Sequence, residues 1–97
     1  MIGTQFTKPP APEHDSLTAY VVSQDFISDR LKSPSSARFP LFSDSSVKVN
    51  YIGDTRYQIF AYVDSQNSFG AMIKSNYDCI VKYTDDKKWT LEEIHIE

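Results

Sequence analysis

Apolar positions change their spacing along the chain, and each change marks an element. From residue 16 they recur at helical spacing, with Leu17, Tyr20, Val21, Ile27 and Leu31 on one stripe. Ala19, Val22 and Phe26 form a second stripe, roughly opposite at about 100° per residue. Together they predict a helix over residues 16–32. Asp15 or Ser16 caps it, accepting a hydrogen bond from a free amide of the first turn. Pro34 disfavours helical geometry at Ser33 and ends the helix. Arg30 and Lys32 stand in the last turn, where cations complement the helix dipole. A helix resting on a sheet needs one apolar face, so the second stripe calls for cover by a curled sheet, by residues 33–40 or by a partner chain.

From Val47 the period falls to two. Val47, Val49 and Tyr51 alternate with Lys48 and Asn50 in a first strand, and Gly53-Asp54 marks a turn. In the second strand Tyr57, Ile59, Ala61 and Val63 face the core, while Gln58, Phe60, Tyr62, Asp64 and Gln66 face away. After the turn QNSFG, Ala71, Ile73, Ser75, Tyr77, Cys79, Val81 and Tyr83 line the core face of a third strand. Gly70 gives that turn a residue tolerant of positive φ. Residues 84–87 form a polar hairpin loop before a last strand over residues 89–96. That strand has a phase conflict, with Trp89 and Leu91 on one face and Ile94 and Ile96 on the other. A bulge near Glu92-Glu93 brings all four inward. The predicted fold class is α+β: one N-terminal helix packed on a four-stranded antiparallel meander, in the order α-β-β-β-β.

Between helix and sheet, residues 33–46 cross as an irregular connection that Phe39, Leu41 and Phe42 can pin to the core. Ser33, Ser35, Ser36 and Arg38 are able to cradle an anion, but turn and capping chemistry accounts for them more simply. Residues 1–15 hold Pro9, Pro10 and Pro12 and read as a stiff, extended arm, leaving residues 16–97 as a single domain. Such a spacer joins a domain to an anchor or neighbour. The expectation is a soluble domain tethered to an assembly or a bacterial membrane, with the anchor upstream of this chain.

Composition narrows the function classes. With 40% hydrophobic and 13% aromatic residues, the chain is globular. A formal charge of −3 with scattered Lys and Arg offers no cationic groove, so nucleic acid is not an expected partner. One cysteine and two histidines distant in sequence give no metal-ligand spacing, and no cofactor is expected. No run is long enough to span a bilayer, and residues 1–6 lack the regions of a signal peptide. As an enzyme the chain is poorly equipped. Ser68 has no histidine nearby in sequence, Cys79 falls on the core face, and Asp64 and Asp78 can face each other across strands with nothing to raise either pKa.

The candidate binding surface is the outer face of the second and third strands with the loop between them. Phe60, Tyr62, Asp64, Gln66, Asn67, Ser68, Phe69, Lys74 and Asn76 fall there, flanked by Met72 and Asp78. Polar groups interleaved with aromatics suit recognition of a protein, of a second copy or of a small ligand.

Two segments carry a resemblance. DRLKSPSSARFP (29–40) and YVDSQNSFGA (62–71), continued by NYDCIVKY (76–83) and WTL (89–91), are similar to small uncharacterised domains of bacteria and phages. In those proteins the domain often follows a membrane segment, a zinc ribbon or a linker, which agrees with the proline-rich arm. That resemblance implies the fold and a tether, with no activity to carry over.

QNSFG is also similar to the Q-x-V-x-G loop of cystatins, helix-on-sheet inhibitors of papain-like proteases, and Trp89 to the tryptophan of their second inhibitory hairpin. The order differs, since a meander puts QNSFG and Trp89 at opposite ends, and Ser68 replaces the motif's valine. This resemblance implies a cystatin-like outline without the inhibitory wedge. The expectation is therefore a non-enzymatic binding or accessory module. A pocket protein or enzyme of the cone-shaped-sheet type is the second reading, and a cystatin-like inhibitor the third.

Overall fold

A computed structural model describes residues 14–84 and 87–97. Most of the proline-rich arm and two residues of the 84–87 loop lie outside the described residues. Helix α1 (Ser16–Ser28) packs on an antiparallel sheet of β1 (Lys48–Gly53), β2 (Arg56–Gln66), β3 (Met72–Tyr83) and β4 (Trp89–Ile96), in the order β1-β2-β3-β4. A short 3₁₀ turn, Pro34–Ser36, lies in the connection. The α+β meander read from the periodicity is the observed fold.

Asp15 caps α1 by accepting from the Thr18 N–H at 2.8 Å. The helix stops at Ser28, four residues short of the predicted end, and the chain tightens into turns in which Arg30 N–H donates to Ile27 C=O and Leu31 N–H to Ser28 C=O. Arg30 does more than complement the dipole: its Nη1 donates to the Phe26 carbonyl at 2.8 Å.

The buried helix face is Ala19, Tyr20, Ser23 and Ile27, whereas Leu17 and Val21 of the predicted stripe are half-exposed. Tyr20 and Ile27 of that stripe are buried and Leu31 packs against the core, while the serine at the centre of the face is one that apolar spacing could not mark. Ser23 is buried with its hydroxyl satisfied, donating to Tyr20 C=O at 2.6 Å and bonded to the Tyr77 hydroxyl at 3.2 Å. A buried hydroxyl is tolerated only when bonded, and each of these two supplies the other.

On β2, Tyr57, Ile59, Ala61 and Val63 are all buried, and on β3 so are Ser75, Tyr77, Cys79 and Val81. Ile73 and Ala71 depart from the expected core face and are exposed. The 13 residues of α1 span about 20 Å, while the 12 residues of β3 span about 40 Å. The far end of the hairpin therefore extends beyond the helix. In β4 the pairs Ile80–Glu93 and Val81–Leu91 leave Glu92 as an extra residue. This is the bulge that the phase conflict required, and Trp89, Leu91, Ile94 and Ile96 all pack against the core.

The connection is pinned by fewer apolar anchors than expected. Phe39 meets the Tyr77 ring edge-on at 6.2 Å and Phe42 lies 6.0 Å from Tyr20, but Leu41 is 77% exposed. Main-chain bonds supply the rest. Arg38 N–H donates to Asp64 C=O at 2.8 Å, Asp64 N–H to Arg38 C=O at 3.0 Å, and Gln66 N–H to Ser36 Oγ at 2.9 Å. Ser36 Oγ also donates to Ser33 C=O. Of the four residues read as able to cradle an anion, Ser33, Ser36 and Arg38 thus act in turn and edge chemistry, and the segments 29–40 and 62–71 are physical partners.

Two outcomes follow for stability. Ser23→Ala should cost about 1–2 kcal/mol in urea unfolding, although alanine is the better helix former, because the Tyr77 hydroxyl loses a buried partner. Adding Tyr77→Phe should then cost less than it does alone. The Asp15 cap hydrogen bonds hold its carboxyl below the ordinary 3.8. A depressed folded value gives stability that is present above the unfolded value and lost as pH falls through the folded one. Thermal melts from neutral pH into acid should show Asp15→Asn losing less than the wild type below the unfolded value.

Candidate functional site

Antiparallel pairing sorts the outer face into rows. Lys48, Phe60, Asp78 and His95 form one row, through the pairs Lys48–Phe60, Phe60–Asp78 and Asp78–His95. Tyr62 and Asn76 pair in the next, where Asn76 Nδ2 donates to Glu97 Oε1 at 3.1 Å and Glu97 N–H to Asn76 C=O at 3.0 Å. Asp64 and Lys74 follow, then Gln66 and Met72.

The first two rows enclose an open groove of about 360 Å³, walled at one end by Ser46 and at the other by His95 and Glu97. Phe60, 39% exposed, lies in its floor beside Tyr62. His95 Nδ1 and Asp78 Oδ2 are 3.3 Å apart, and Lys74 Nζ sits 4.1 Å over the Tyr62 ring. The groove can thus offer aromatic faces, two carboxylates, an amide and an imidazole to one ligand.

Of the predicted site residues, the structure brings Phe60, Tyr62 and Asn76 into this groove, with Lys74 and Asp64 at its border. Gln66, Asn67, Ser68 and Phe69 lie apart. Phe60 and Gln66 are six residues apart along β2, about 20 Å of strand. Asn67 is consumed by the turn, its Oδ1 accepting from Phe69 N–H at 2.9 Å and Ala71 N–H at 3.0 Å. Gly70 has φ +82°, as its place in the turn requires. Phe69 projects from the tip, 94% exposed.

Asp64 and Asp78 do not face each other, because the register sets Asp64 against Lys74 and Phe60 against Asp78. The carboxylate has a histidine partner instead. His95, Glu97 and Ser46 escaped the sequence reading, since their place depends on a register fixed by two turns and a bulge. Only the alternation of His95 with Ile94 and Ile96 marked it as outward-facing.

The opposite end carries a second group of rings. His14 bonds to the Tyr57 hydroxyl at 2.8 Å and lies 5.2 Å from the Tyr83 ring and 6.3 Å from that of Tyr51, while Trp89 lies 5.2 Å from Tyr83 and 5.9 Å from Tyr57. These contacts tie the entry of α1 to the sheet. Trp89 is part of this packed cluster, and the β2–β3 turn lies at the other end of the meander. Among the described residues, no group of three or more His, Cys, Asp or Glu side chains is placed to hold a metal, and no helix is long and apolar enough to cross a membrane. Compared with family models, curated proteins and solved structures, the chain matches none.

Burial pushes the Cys79 thiol up to about 12. The thiolate is the reactive form, so a chromogenic disulfide reagent at about pH 8 should label native protein far more slowly than urea-unfolded protein. Equal rates would expose a reactive cysteine that this packing does not provide.

Proposed function

We propose that the domain is a non-enzymatic binding module that presents the outer face of β2 and β3 to a protein partner. The observation that carries this reading is the groove over Phe60, Tyr62, Asn76 and Asp78, on the face opposite the helix. An apolar floor with polar groups at its rim is the anatomy of a recognition surface, and a half-exposed phenylalanine in mid-sheet contributes little to the core. Nucleophilic chemistry finds no support in the arrangement. The Asp78–His95 pair has the form of an orienter and a base, but the groove's hydroxyls are those of Ser46, Tyr62 and Tyr77, and none is bonded to His95. The three prolines at residues 9, 10 and 12 have the composition of a spacer, which suits such a module.

The test is capture by the immobilised domain, followed by measured affinity for the purified partner. Phe60→Ala and Tyr62→Ala should each weaken binding at least about tenfold, the magnitude of a central aromatic contact, while thermal stability stays close to that of the wild type. Phe69→Ser, at the remote tip, should leave affinity unchanged. Affinity indifferent to Phe60 and Tyr62 but lost on changing Phe69 would move the site to the hairpin end and overturn this reading.

A further inference from the structure

Strand β3 outruns its neighbour β4. Their pairing stops at Tyr77–Ile96, with one further bond from Glu97 N–H to Asn76 C=O, whereas β3 begins at Met72. Alternate residues of an antiparallel strand direct their N–H and C=O to the same side. Asn76 bonds toward β4, so Lys74 and Met72 direct their groups the same way, past the end of β4. The ground there is open. Residues 71–74 are all exposed, Met72 and Ile73 each by 47%. The stretch is also regular, for β2 and β3 pair without a shift from Arg56–Lys82 to Gln66–Met72.

Strand edges left open in this way are blunted in soluble proteins by a bulge, a proline or a charged side chain, lysine above all. Residues 71–75 contain neither bulge nor proline. A lysine is present but turned away, since Lys74 Nζ sits 4.1 Å over the ring of Tyr62, which β2 carries. The edge is left unguarded.

We propose that this edge pairs with the same edge of a second copy of the chain, Ile73 against Ile73, joining two sheets into one. The inference goes beyond the groove, which is a separate surface. One antiparallel register fits the space. With Ile73 opposite its own copy, Met72 of each chain lies opposite Lys74 of the other, and each such pair exchanges both main-chain bonds. Ala71 then faces Ser75, and Gly70, at φ +82°, has already turned the copy's chain aside before Asn76, whose C=O is taken by Glu97. Centring the pair on Lys74 would set two lysines against each other and require the occupied Asn76. Centring it on Met72 would set Lys74 against the turn at Gly70.

The side chains favour the same register. A pair without direct hydrogen bonds brings its side chains closest, and here that pair is two isoleucines on the helix-bearing face. Ile73 lies beyond the reach of its own helix, so the copy provides the burial that its own domain withholds. On the outer face Met72 meets the aliphatic stem of Lys74, and no like charges stand opposite. A two-fold contact of this kind is self-complementary and closes at two chains.

The test is molecular mass by light scattering across a concentration series. Mass should rise from one chain to two and no further. Ile73→Lys and Ile73→Glu each place like charges opposite one another, and each should weaken pairing at least about tenfold. Melts of these variants in dilute solution should match the wild type, and an equimolar mixture of the two should pair again. Lys74→Pro, which removes an N–H directed off the edge and none within the sheet, should weaken pairing as well. A wild-type mass fixed at one chain up to the solubility limit would overturn the proposal, as would a mass that climbs past two. Pairing that survives in both charged variants, or that their mixture fails to restore, would overturn it too. If pairing vanishes in Phe60→Ala and persists in Ile73→Lys, the second copy sits in the groove and the edge is not the interface. The binding-module reading is judged apart from these outcomes, by partner affinity in Phe60→Ala and Tyr62→Ala.

Discussion

A central strand must find hydrogen-bond partners along both edges, and β2 is nearly twice as long as its neighbour β1, with 11 residues against 6. An unpaired row of backbone groups along the excess would be both costly and adhesive. The connection from the helix resolves this by laying Ser36 and Arg38 along the far end of β2. That contact draws residues 33–40 back over the sheet, seats Phe39 against Tyr77 and brings the Pro40 carbonyl to Tyr20. The helix is thus held at its end by the connection and at its start by His14 among the tyrosines. Of the apolar stripe of α1, Tyr20 takes part in the first clamp, through its hydroxyl.

The core that these clamps close is small and partly polar. Tyr20, Ser23 and Tyr77 are fully or almost fully buried, and each hydroxyl has a partner. Tyrosines give a domain of this size large buried surfaces, and the hydroxyls fix which helix face meets which strand. Burial raises the Tyr77 hydroxyl well above its ordinary pKa, so it stays a neutral partner for Ser23. The arrangement trades some apolar burial for a defined register between helix and sheet.

The sheet was legible in the sequence to a degree that the helix face was not. Alternation on β2 assigned Tyr57, Ile59, Ala61 and Val63 to the core, because a period of two leaves a residue only two choices. The same logic exposed the bulge in β4, since Leu91 and Ile94 could not otherwise share a face. The helix misled because hydrophobicity stood in for burial: Leu17 and Val21 are apolar and outward, Ser23 polar and inward. At the site, Phe60, Tyr62 and Asn76 could be placed on one face, but which residues meet across the strands depends on register. Asp78 opposite Phe60, His95 opposite Asp78, and Arg38 opposite Asp64 are contacts between residues distant in sequence that no local pattern announces.

The functional account comes down to the groove on the outer face of β2 and β3, where Phe60 and Tyr62 form an apolar floor and Asp78, His95 and Glu97 a polar rim. Side-chain footprinting of the domain with and without its captured partner tests that surface most directly. The account predicts that Phe60 and Tyr62 become protected in the complex while Phe69, at the remote hairpin tip, stays as reactive as in the free domain. Protection of Phe69 with Phe60 and Tyr62 unchanged would contradict the account.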